Sequence, residues 1–162
     1  MDGITDEEYF WEPVTGCWNV RARGQSTASR VAGSGDFVLE FDFPAPDPAP
    51  VTTISWRLAH IIAPVFAARS AAHFGGPPAD LHTFEYAGTA ARALNQLDDA
   101  YATWTAGVRG LGTEGLSQPC GPAEGPFADA SLAALVLHIN REALHHGAEI
   151  ALLRDLYERQ GS

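Results

Sequence analysis

The fold is read from Ser131-Leu-Ala-Ala-Leu-Val-Leu-His138-Ile-Asn-Arg-Glu142-Ala-Leu-His145-His146-Gly-Ala-Glu149-Ile-Ala-Leu-Leu153-Arg-Asp-Leu-Tyr157-Glu158. Wound at about 100° per residue, it places Leu132, Leu135, Ile139, Ala143, Ile150, Leu153 and Tyr157 on one face. Asp129 or Ser131 can cap it, which predicts a helix over 129–158. His146 falls near the centre of that apolar face, and Glu142 lies one turn earlier on the same side.

Working backwards, Thr89 to about Val108 carries Leu94, Leu97, Tyr101, Trp104 and Val108 at steps of three and four, which predicts a helix over 89–108. The Gly- and Pro-rich sequence from 110 to 126 then reads as a loop. A third helix is predicted over 52–74. Thr52 or Thr53 can cap it, Pro64 should kink it, and Gly75-Gly-Pro-Pro78 ends it. Its small and apolar residues run almost all the way round, so it should be deeply buried.

Residues 1–51 lack sustained periodicity and read as mostly irregular. Asp6 to Glu12 can form one helical turn, stopped by Pro13. Phe37 to Phe43 alternates weakly, as a short strand would. Pro44, Pro46, Pro48 and Pro50 break regular structure. The expectation is a long ordered, Pro-rich loop, with room for a small hairpin. Long helices joined by loops in 162 residues suggest one domain over 1–162, all-α, built as an antiparallel bundle.

Composition narrows the function. A net charge of −10 argues against nucleic acid, whose phosphates need clustered cations. The cations are all arginine, which with abundant Ala, Gly and Pro is the composition of a GC-rich genome. No apolar run reaches membrane-spanning length, since Ile54–Ala72 is interrupted by Arg57, His60 and Arg69. Cys17 and Cys120 show no ligand or disulfide spacing and read as two reduced thiols. With no signal peptide, the expected location is the cytoplasm.

Glu142 and His146, at i and i+4, can point into one bundle core together. A charged carboxylate there is costly unless paired, and a divalent metal would satisfy both groups. Imidazole and carboxylate suit zinc, nickel, iron or manganese alike. A plain Glu142–His146 hydrogen bond meets the same need. His138, His145 and Glu149 line the neighbouring flank as alternative ligands or supporting groups, with His145 the closest competitor to His146. A third ligand must come from another helix. His60 is the best candidate, with Trp56 one turn before it, although a satisfied core histidine reads the same way. It lies off the Ile54, Leu58, Ile61 stripe, on a second face with Trp56, Ala63, Pro64 and Ala67. His73 and His82 read as surface residues.

Two stretches resemble the DinB/YfiT-like superfamily of four-helix metalloproteins. Thr53-Ile-Ser-Trp56-Arg-Leu-Ala-His60 is similar to its helix with Trp four residues before the first ligand His. His138 to Arg154 is similar to its HxxxHxGQI-type helix with Leu-Leu-Arg after it. That register implies His60, Glu142 and His146 as the metal ligands, with Glu142 where many members have His, as in the mycothiol-dependent maleylpyruvate isomerases. Thr5 to Pro13 and Gly16-Cys-Trp18 extend the resemblance. Family chains usually carry a full amphipathic helix before that segment. The resemblance therefore implies a four-helix bundle lacking or replacing its first helix, with an apolar groove covered in a homodimer.

Two functions are expected on this basis. One is a transferase or isomerase that uses a divalent metal (zinc, nickel or iron) and a low-molecular-weight thiol, mycothiol being favoured by the GC-rich composition. Arg57 or Arg141 could then meet an anionic small-molecule substrate. The other is a non-catalytic small-ligand-binding or stress-response bundle.

Overall fold

The computed structural model describes residues 3–160. Its longest helical segments include the three predicted helices. The quoted stretch forms helix α5, Leu132–Glu158, and Ser131 is its cap, accepting from the Ala134 amide. Leu135, Ile139, His146, Ile150 and Leu153 are its buried residues, all on the face predicted from the 3.6-residue period.

The 52–74 helix runs as three consecutive pieces: α2 (Ile54–His60), a π-helical stretch (Ile61–Ala67) and α3 (Ala68–Phe74). Thr53 caps α2, and Gly75 ends α3 in the left-handed conformation. Pro64 has no amide hydrogen to give the His60 carbonyl, so an α-helical register cannot be kept there. The chain widens to π geometry around Pro64. The widening rotates the later turns relative to the earlier ones, and residues from both faces of the segment become buried: Ile54, Leu58, Ile61 and Ile62, and also Ala59 and Ala63.

The expectation for 89–108 is corrected, because helix α4 spans Ala90–Ser117. Gly110 and Gly115 are tolerated within it, and only Gly112, at φ 62°, leaves helical geometry. Its most buried residues are Ala90, Ala93, Ala100 and Trp104, while Tyr101 faces outward. Gly107 is required where it is: a Cβ there would sit 2.1 Å from the Phe74 ring. Residues Pro122–Phe127 form a 3-10 turn before α5.

The all-α expectation is corrected for the N-terminal third. Residues 13–50 are not simply a loop. Strands β1 (Val20–Ala22), β2 (Arg30–Ala32) and β3 (Phe37–Phe41) form an antiparallel sheet in the order β1-β3-β2. The molecule is mostly helical with this small sheet attached. The short strand read at Phe37 to Phe43 is β3, whereas the three-residue β1 and β2 carry too little alternation to be read from sequence. What fixes them is a buried polar network. The Glu40 carboxylate accepts from the Asn19 amide at 3.0 Å, Arg21 Nε at 2.8 Å and Ser26 Oγ at 2.7 Å. The Asn19 side-chain oxygen accepts from Thr53 and Ser55 at the start of α2.

Helix α1 (Asp6–Phe10) is short but tightly held. Tyr9 is buried and donates to the Ala87 carbonyl. Glu8 pairs with Arg154 of α5 at 2.7 Å, and Asp6 accepts from the first amide of α4. Among the described residues, no helix is long and apolar enough to cross a membrane.

Candidate metal centre

α5 carries Glu142 and His146 one turn apart on its inward side, and the end of α2 brings His60 to meet them. The second face of α2 does point at α5. The His60 and His146 rings meet edge to face with centroids 4.7 Å apart. One donor atom each from His60, Glu142 and His146 lie within 4.8 Å of one another. His146 Nε2 is 3.6 Å from Glu142 Oε2. His146 is buried, and His60 and Glu142 are partly buried.

The sheet aims His60. Its ring stacks on Trp56 at 5.5 Å with the planes 6° apart. Trp56 is held in turn by its indole N–H, which donates to the Glu40 carbonyl of β3 at 2.8 Å, and by a stack on Trp18. Burial pushes the His60 imidazole down to about 4, helped by the charges of His146, Arg57 and Arg69 and opposed by Glu142. It is therefore neutral near pH 7, the state in which a ring nitrogen can take a metal.

The flanking residues divide. Glu149 Oε2 lies 2.7 Å from His146 Nδ1, and Arg57 Nη1 lies 2.5 Å from the same oxygen. Burial lowers Arg57 against the upward pull of Glu149. His145 stacks on His146 but is exposed, with Nε2 3.3 Å from Glu149 Oε1. One donor each from His145, His146 and Glu149 also lie within 4.8 Å of one another. His138 sits at the rim, where Arg141 meets its Nδ1 at 2.7 Å. Arg141 is exposed and lies 3.6 Å from Glu142, so of the two arginines expected to meet a substrate only Arg57 is inside the site.

His82 is exposed, as expected. His73 is not a surface residue: its side chain is 5% exposed and pairs with Glu124 at 2.9 Å. Arg69 joins this group, 3.4 Å from Glu124, and donates to the Pro64 carbonyl at 2.7 Å. Neither Glu124, in a Gly/Pro-rich turn, nor the Glu40 network carried a sequence signal, since each buried charge is explained only by partners far along the chain. Trp56 did carry one, as the large aromatic one turn before His60.

The donor set fits a divalent metal. Two imidazoles and a carboxylate are ligands that zinc, nickel and iron all take, and three protein ligands leave further positions open. The sequence matches the model of one family, described as the DinB superfamily, over residues 1–150. No curated protein and no solved structure matches the chain. Members of that superfamily typically bind divalent metals, and the His/Glu groups above are this chain's candidate sites.

Proposed function

Because the chain belongs to the DinB superfamily, we propose that His60, Glu142 and His146 hold a divalent metal (zinc, nickel or iron) and that the protein is a metal- and thiol-dependent transferase or isomerase. The observation that carries this reading is the convergence of the three donor atoms from two helices within 4.8 Å. Such a metal supplies a Lewis acid that lowers the pKa of a bound thiol or water. His60, kept neutral, and His146, with Nδ1 held by Glu149, offer ring nitrogens, and Glu142 offers the charge that offsets the cation. The thiol comes from solution in this reading, as a low-molecular-weight compound of the mycothiol kind. Both cysteines are buried and bonded to backbone carbonyls, Cys17 to Val14 and Cys120 to Ser131.

The helical part is read as the superfamily's four-helix bundle. A homodimer is supported by α5, whose outer face exposes Leu137, Leu144, Leu152 and Leu156. Metal analysis of protein purified without chelator tests the central claim. About one metal per chain is expected, lost in a Glu142→Ala/His146→Ala variant that still folds. Failure to take up zinc, nickel or iron even when each is added back overturns the reading.

A further inference from the structure

Two groups of metal-binding side chains share His146. Glu142 lies on its Nε2 side, within reach of His60, while Glu149 and His145 lie on its Nδ1 side. By donor type alone, either group could take a divalent cation. What separates them is Arg57.

Arg57 Nη1 is 2.5 Å from Glu149 Oε2, and His146 Nδ1 is 2.7 Å from that same oxygen. Arg57 and Nδ1 are themselves 3.2 Å apart. An ionised carboxylate only accepts, and a guanidinium only donates. Arg57 could donate to Nδ1 only if that nitrogen were unprotonated, but the shorter 2.7 Å contact sets Nδ1 against an oxygen that only accepts, and this favours the imidazole proton on Nδ1. The lone pair is then left on Nε2, the nitrogen facing Glu142. A cation on the Nδ1 side would have to displace that proton and sit beside a partly buried guanidinium.

We propose that Arg57 and Glu149 are positioning residues that fix His146 as its Nδ1–H tautomer, turn Nε2 to the metal, and keep a cation out of the His145–His146–Glu149 group. This rests on the reading that His60, Glu142 and His146 hold the metal. Glu149 acts on the ring directly, and Arg57 acts through Glu149. His145 takes no part in binding, although it has the same donor atoms as its neighbour.

The tautomer is read first, on metal-free protein with ¹⁵N-labelled histidine, from long-range ¹H–¹⁵N correlations. His146 is expected with its proton on Nδ1 in the wild type and in Glu149→Gln, which keeps an acceptor oxygen. In Glu149→Ala that preference should be lost. Zinc affinity is then measured by competition with a chromophoric chelator. Glu149→Ala should weaken binding about 10- to 100-fold and Glu149→Gln by less. His145→Ala should leave it unchanged. In Arg57→Met, where Glu149 still meets Nδ1 but has lost its own partner, the Nδ1 proton should stay and zinc binding should weaken by less than in Glu149→Ala, with no second zinc; Arg57→Gln serves if the Met variant does not fold. Finding the His146 proton on Nε2 in the wild type overturns the proposal. So does a His145→Ala variant that loses zinc as fully as His146→Ala. Wild-type protein with the Nδ1 proton but no zinc binding would instead remove the metal reading and leave the tautomer lock standing.

Discussion

Helix α5 and the three-stranded sheet both serve the same few side chains, but they are built by different physics. α5 is specified locally: a 3.6-residue repeat of Leu135, Ile139, His146, Ile150 and Leu153 buries one face, and the rest of the helix faces out. The sheet is specified by distant partners. Its short strands are pinned by Glu40, which collects hydrogen bonds from residues 14 to 21 positions away. α5 supplies Glu142 and His146, while the sheet, through Glu40 and Trp56, sets the plane of His60. A periodic apolar face thus carries the donors, and a buried polar network aims the one that must meet them.

Substitutions in the two regions should differ in what they cost. The largest effect is expected at Ile139, fully buried on α5. Ile139→Ala should cost about 4 kcal/mol in urea unfolding, the sum of lost burial and a residual cavity. Glu40→Ala should cost about 3 kcal/mol, because it strips the acceptor from the Asn19 amide and one partner from Arg21. If that variant melted as the wild type does, the polar network would not be what holds the sheet.

Where the two regions meet, the metal-free protein should show a pH signature of His60. Its folded-state value of about 4 lies below the ordinary 6.5. Between those values the unfolded chain binds more protons, so stability is fully present above about pH 6.5 and declines as pH falls towards about 4, by at most about 3 kcal/mol. Comparing urea unfolding of the wild type and His60→Asn over that range checks this, since the variant should lack that part of the decline.

Trp56→Leu removes both the stack on His60 and the bond to the Glu40 carbonyl, and should cost about 2 kcal/mol while weakening zinc binding. Trp56→Phe keeps a ring under the imidazole and should lose about half as much. Equal zinc affinity in all three proteins would detach the sheet from the site. The smallest effect belongs to the outer face of α5. Leu137, 70% exposed, should tolerate Ala within about 0.5 kcal/mol in dilute monomer.

The same contrast decides what is legible in the sequence. The buried face of α5 comes directly from spacing, and Ser131 and Thr53 cap their helices as Ser and Thr do before an apolar run. The C-terminal part of α4 is hidden because Gly110, Gly112 and Gly115 look like breakers. Only Gly112 is one, and the helix on either side of it persists. His73 looks like a surface residue because nothing near it in sequence can pair with it; Glu124, 51 residues on, does so.

By itself the sequence determined the long helices, the face of α5 that turns inward, and the membership of Glu142 and His146 in that face. These depend on periodicity and capping, which act over a few residues. Only the tertiary structure decided that the second face of α2 meets α5 beside a π-helical turn at Pro64. It also decided that the Phe37–Phe41 strand, which the weak alternation allowed, is the centre of a three-stranded sheet, and that Arg57 reaches Glu149. Each of these depends on groups dozens of residues apart, and a buried charge or an aimed imidazole is stable only once its distant partners have arrived.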